Sequence, residues 1–189
     1  GETAYRQSVP STLLETMRQH PESAITQAWE AQGSAEGDGW EATFGWHGSE
    51  YLCAWSIANY IDGIAAAGQT IYDLPMYVNV WLGYGGFRTP GSYPSGGAVA
   101  PVLDLWKWSA PHIALIAPDI YVPHVRGYTE SCRDHARDDN PLYIPESGRS
   151  GPNALNMFYA LANYDAIGLH VFGIDSIYDT EGNLRSESV

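Results

Sequence analysis

Apolar residues recur at three-to-four spacing through the first third of the chain and alternate in short stretches after it, which predicts helices first and then strands interleaved with helices. Ser11 is placed to cap a helix over Thr12 to His20, with Glu15 reaching back toward its start. A second helix follows Pro21 and closes near Gly33, and the Gly- and Trp-rich stretch Gly33 to Gly48 reads as a loop with a short helical turn. Ser49 to Gly68 carries Leu52, Ile57, Tyr60, Ile61 and Ile64 among many alanines, the pattern of an amphipathic helix closed by glycine.

From Met76 the pattern changes. Strict alternation in Met76 to Leu82 puts Met76, Val78, Val80 and Leu82 on one face of a strand and Tyr77, Asn79 and Trp81 on the other. A Gly/Pro/Tyr-rich loop from Gly83 to Gly97 and a helix over about Ala98 to Trp108 come next. Ile113 to Tyr121 is the second strand, followed by a helical stretch near Glu130 to Arg137; Leu142 to Glu146 is the third, with its helix at 153–164; Ile167 to Asp175 is the fourth. Strands separated by helices in this way imply parallel βα units with right-handed crossovers, which an open doubly wound sheet and a closed barrel both satisfy. Residues 1–48 are then a helical and loop N-terminal segment and 49–189 the βα units, within a single domain, since 189 residues would be cramped as two.

Carboxylates choose between the two architectures. The second strand ends in Asp119-Ile120-Tyr121, the third in Glu146 and the fourth in Asp175, and acids at consecutive strand C-termini converge in a barrel mouth. The crevice of an open sheet calls instead for a phosphate loop, and neither GxGxxG nor GxxxxGK(S/T) occurs. Glu146 stands where a short apolar strand meets a Gly-rich turn and a following helix; helix capping alone would also account for an acid there.

With 22 Asp and Glu against 9 Lys and Arg, the net charge of −13 argues against nucleic acid or an anionic membrane surface as partner. A neutral ligand meets no such penalty, and 7 Trp and 13 Tyr suggest sugar contacts, although most large rings must serve the core. Cys53 and Cys132 are too few for a disulfide framework, and whether they pair stays open. The six histidines show no metal-ligand spacing. A basic region followed by an apolar stretch is missing, as is an apolar run of membrane-helix length, so a soluble chain of undetermined compartment is expected.

The runs Leu74-Pro75-Met76-Tyr77-Val78-Asn79, Ala117-Pro118-Asp119-Ile120-Tyr121, Asn140-Pro141-Leu142-Tyr143-Ile144-Pro145-Glu146, and Ala166-Ile167-Gly168-Leu169 to Phe172 with Ile174-Asp175-Ser176 resemble, in this order and spacing, the bacterial β-galactosidase-like enzymes of glycoside hydrolase family 35. The resemblance covers roughly residues 49 to 176. It implies a (β/α)8 barrel of which this chain supplies the second half, a (βα)4 half barrel downstream of the Asn-Glu pair that carries the family's acid/base. It also implies retaining hydrolysis of a β-galactoside-type carbohydrate, with Glu146 as nucleophile and no metal or organic cofactor.

Retaining hydrolysis uses two carboxylates about 5 to 5.5 Å apart. Beside Glu146, the strand-end acids are Asp119 and Asp175, expected to position the nucleophile or to bind sugar hydroxyls. Tyr121 is placed to donate to the nucleophile's oxygen, and Asn79 and Trp81 face the expected interior, where an amide and an aromatic face suit a pyranose. The loop from Gly83 is expected to cover the mouth with aromatic platforms. A half barrel exposes two sheet edges, so a homo-oligomer that completes or covers it is expected. Two other readings stay open: a catalytically inactive half barrel that self-associates or holds sugar, and a serine-type esterase using Ser147 or Ser150, for which no GxSxG elbow is present.

Overall fold

A computed structural model describes residues 6–37, 39–82 and 95–185. The chain divides into two compact units, the first formed by Gly1–Pro75 with Gly83–Ile113 and the second by Met76–Leu82 with Ala114–Val189. The boundary expected at residue 48 falls inside the first unit.

The first unit is helical: α1 (Ser11–Gln19), α2 (Ala24–Ala31), α3 (Trp40–Phe44), the long α4 (Gly48–Gln69) and, after a 3-10 turn at Ala100–Val102, α5 (Leu103–Ser109). Pro10, not Ser11, occupies the N-cap of α1, and no side chain caps it. Proline's fixed φ presets the helix entry, so Ser11 becomes the first helical residue and the predicted capping box does not form. Leu13, Leu14 and Met17 of α1, Ile25 and Trp29 of α2, and Trp40 and Phe44 of α3 are buried together with Leu103, Leu105 and Trp106 from α5. Phe44 meets Tyr51 of α4 edge-on, with ring centroids 5.0 Å apart. Buried indoles need an acceptor, and Trp29 finds one in the Ala35 carbonyl at 2.9 Å and Trp106 in the Gly96 carbonyl at 3.0 Å. α4 starts on a glycine because a Cβ at Gly48 would sit 2.5 Å from the Trp40 carbonyl oxygen.

The second unit mixes strands and helices: β1 (Met76–Trp81), β2 (Ile113–Ile120), α6 (Val125–His135), β3 (Tyr143–Ile144), β4 (Glu146–Ser147), α7 (Gly151–Tyr164) and β5 (Gly168–Leu169). One sheet has the order β1-β2-β4 and a second pairs β3 with β5. β2 and β4 run parallel, with Asp119 opposite Glu146 and Ile120 opposite Ser147; β3 and β5 are also parallel, with Tyr143 opposite Gly168. The fold is therefore α/β with parallel strands in small sheets. α6 and α7 cover one side, where Ile120, Tyr128, Cys132, Leu142, Ile144 and Ala160 form the core. β1 shows the predicted alternation, with Val80 buried and Tyr77, Asn79 and Trp81 exposed.

Three elements depart from expectation. α6 begins at Val125 rather than near Glu130, because the His124 ring accepts the Gly127 N–H at 3.1 Å and caps the helix. The third strand is split: Pro145 has no N–H to donate, and β3 and β4 on either side of it pair with different neighbours. The expected fourth strand contracts to Gly168–Leu169, since Gly173 at φ +64 turns the chain into a 3-10 helix at Ile174–Ser176. Asp175 is thus an exposed residue of that turn and not a strand-end acid.

Asn140 ties the unit together. Fully buried, its carboxamide accepts the Ile116 N–H at 2.9 Å and donates to the Ile116 carbonyl at 2.9 Å and the His135 carbonyl at 2.8 Å. One side chain thus joins the middle of β2 to the end of α6. Asn140→Ala leaves these backbone groups buried without partners, and each such group costs about 1–3 kcal/mol, so a loss of about 3 kcal/mol or more is expected in chemical denaturation. Asn140→Asp keeps one acceptor, loses both donor bonds, and does not restore stability.

Candidate active site

Strict alternation through Leu142 to Glu146 would turn Glu146 to the same side as Leu142 and Ile144, into the core. Burial shows otherwise: Ile144 and Ser147 are both fully buried, three residues apart, whereas Tyr143 and Glu146 are only partly so. Pro145 acts as one extra residue, as in a bulge, and flips the side-chain pattern so that Glu146 shares the open face with its register partner Asp119.

On that face four of the expected residues meet. Tyr121 donates its hydroxyl to Glu146 Oε1. The Asn79 amide donates to Asp119 Oδ2 at 3.1 Å. Two acids on adjacent parallel strands thus each hold a neutral donor from a neighbouring segment. Burial pushes the Asp119 carboxyl up to about 6, against which the Asn79 amide pulls down and to which the charge of Glu146 adds. Trp81 lies exposed on the Asn79 side of β1. Asp175 is the expected residue that the structure does not bring into this group. Of the covering loop, residues 83–94 lie outside the described residues.

Next to the Tyr121–Glu146 pair a cavity of about 280 Å³ is lined by Tyr121, Gly148, Arg149, Phe172 and Ser176. Arg149 donates to the Ser176 hydroxyl, which donates in turn to the Gly173 carbonyl at 2.7 Å. Gly148 leaves room for Asn153, whose amide nitrogen would be 2.5 Å from a Cβ there. Arg149, Phe172 and Ser176 were missed in the sequence. The signal for Arg149 was its place three residues after Glu146 on the strand-to-helix turn; Phe172 carried none, because the segment holding it reads as a strand, and Ser176 lies just past that stretch.

Neither serine of the esterase reading is set up as a nucleophile. Ser147 is fully buried, with no hydrogen-bond partner for its hydroxyl among the described residues, and Ser150 caps α7 by accepting the Asn153 N–H at 3.4 Å. Both cysteines are free, and burial pushes the Cys132 thiol up to about 12. Among the described residues no group of three His, Cys, Asp or Glu side chains could hold a metal ion, and no helix is long and apolar enough to cross a membrane. No known family profile matches the chain, and no curated protein is significantly similar to it.

Asp119 is the group whose titration is readable. Its folded value lies above the ordinary 3.8, so folding favours its protonated form: its contribution to stability is full below about pH 4 and is lost as pH rises through about 6. Thermal melts of Asp119→Asn against the parent across pH 4 to 7 should show the variant gaining relative stability over that window. A constant difference across the range would contradict the raised value.

Proposed function

We propose that this chain is a glycoside hydrolase-like protein of the family 35 type, acting on β-galactoside-type carbohydrates with retention, with Glu146 as nucleophile. The observation that carries this reading is the pairing at the ends of β2 and β4: a carboxylate on the open face, held by the Tyr121 hydroxyl, beside a cavity with an aromatic wall and a guanidinium. A nucleophilic carboxylate must be aimed at the anomeric carbon, and a single positioned donor on one oxygen fixes its rotation and leaves the other oxygen to attack. The sequence runs that resemble the family fall on β1, β2, the β3–β4 ribbon and β5, and in that setting the strands are four successive βα units of a half barrel.

In the same reading Asp119 and Asn79 sit beside the nucleophile, where the acid positions it or takes a sugar hydroxyl, and Trp81 offers an aromatic face. Asp175 has no part in it as a strand-end acid. The open face and the exposed apolar residues of α7, Leu155 and Phe158, favour association with a further copy that covers them. The chemistry requires neither a metal nor an organic cofactor.

The test is intact-mass spectrometry after incubation with an activated 2-fluoro β-galactoside, whose leaving group departs without acid assistance. An adduct mapping to Glu146 and lost in Glu146→Gln is the expected outcome. Tyr121→Phe should slow its formation about tenfold to hundredfold, the equivalent of one lost donor to a charged group. Sugar binding without any adduct would mark a non-catalytic protein, and neither adduct nor binding would overturn the carbohydrate reading of this face.

A further inference from the structure

The first unit contains a cavity of about 310 Å³ that plays no part in the site above. Three helices build it through their periodicity. α1 contributes Thr12 and Thr16, four residues apart; α4 contributes Trp55, Asn59 and Asp62 at i, i+4 and i+7; and the end of α5 contributes Trp108. A polar and aromatic stripe on α4 thus faces a hydroxyl-bearing stripe on α1 across a hole large enough for one small molecule.

The groups around this cavity are held in place by hydrogen bonds and ring contacts. His112 clamps the Asp62 carboxylate, its backbone N–H donating to Oδ1 at 2.8 Å and its ring nitrogen lying 3.0 Å from both oxygens. His112 is in turn held by the Gln69 amide, which donates to its carbonyl at 3.2 Å. The Asn59 amide nitrogen donates to the Trp55 carbonyl at 2.7 Å, which leaves its oxygen as an acceptor, and the Thr16 hydroxyl donates to the Thr12 carbonyl at 3.0 Å, which leaves its lone pairs. Trp108 has one face against the His20 ring, with centroids 5.3 Å apart, and Trp55 leans on the buried Trp40. The two indoles differ from Trp29 and Trp106 in one respect. Among the described residues the half-buried Trp55 and Trp108 have no protein acceptor for their N–H groups.

The lining residues therefore carry both donors, the two indole N–H groups and the Thr12 hydroxyl, and acceptors, the Asp62 carboxylate, the Asn59 oxygen and the Thr16 hydroxyl. An organic ammonium offers a positive charge and at most N–H donors, never an acceptor, and would leave the indole donors unmatched. An anion can only accept and would meet the charge of Asp62. An apolar ligand would leave both sets unpaired, at a cost for every group it desolvates. A hydroxyl group both donates and accepts, and a ring bearing several hydroxyls also has apolar C–H faces that suit an indole. We propose that this cavity is a second carbohydrate-binding site, for a neutral mono- or disaccharide, separate from the face that bears Glu146.

The indole N–H resonances report on the site directly. The full chain carrying Glu146→Gln, which cannot turn a glycoside over by the route above, would be titrated with methyl β-D-galactopyranoside, methyl β-D-glucopyranoside and cellobiose. Of the signals from the 7 tryptophans, the two assigned to Trp55 and Trp108 should shift saturably with at least one of these sugars. Tetramethylammonium chloride and sodium acetate should leave them unmoved. Asp62→Asn should weaken the sugar roughly tenfold, about one hydrogen bond to a charged group. Trp108→Phe, which keeps a ring and deletes the N–H, serves as the second variant, read at the Trp55 signal, should Asp62→Asn fail to fold. Immobile Trp55 and Trp108 signals with all three sugars, saturation by tetramethylammonium instead, or undiminished affinity in the folded variants would each overturn the proposal.

Discussion

The carboxamide of Asn140 stands in for a peptide group. It meets both the N–H and the carbonyl of Ile116, as a neighbouring strand would, while its second amide proton fastens the last turn of α6 through His135. β4 pairs with β2 only at Asp119 and Ile120, and two residues of ladder are a weak hold on a central strand. Asn140 extends that hold upstream and fixes where the chain re-enters the sheet before β3. The backbone bonds between Arg137 and Asn140 close the turn that delivers it there. The open face depends on this placement, because the register that sets Asp119 opposite Glu146 is counted from the point where Asn140 grips β2.

The electrostatics of that face are uncomfortable by construction. The chain has an excess of 13 acidic charges, yet it sets two carboxyls on adjacent strands. Neutral donors ease the arrangement: the Asn79 amide for one acid and the Tyr121 hydroxyl for the other. The raised value of Asp119 comes first from its burial, with the charge of Glu146 a smaller addition. Two acids on one open face disfavour an anionic ligand there, as the net charge of the chain does for its surface as a whole.

Much of this is legible in the sequence. The face alternation of β1 follows from its period of two, and the long helix α4 from its apolar spacing and closing glycine. The link of Tyr121 to Glu146 was readable because each ends an apolar stretch of the same kind. Three things were hidden for identifiable reasons. Histidine is a rare N-cap, so the start of α6 at Val125 gave no familiar signal. Ile167 to Asp175 has strand-like composition, but pairing requires a partner, and the β3–β4 ribbon offers its ladder only at a few points; Gly173 then bends the chain away. The cavity between α1, α4 and α5 depends on which helix faces oppose each other, and periodicity within one helix does not contain that information.

Pro145 gives the ribbon two phases of side-chain orientation, one before it and one after. Were the position lost, Ile144, Glu146 and Ser147 would follow one another in regular alternation and the acid would keep its place on the open face. The segment is therefore more sensitive to identity than to length. A single-codon deletion there is the milder lesion, whereas a replacement that joined the ladder as an ordinary strand residue would bury the acid and present a serine in its place, turning one kind of surface chemistry into another without altering any other side chain.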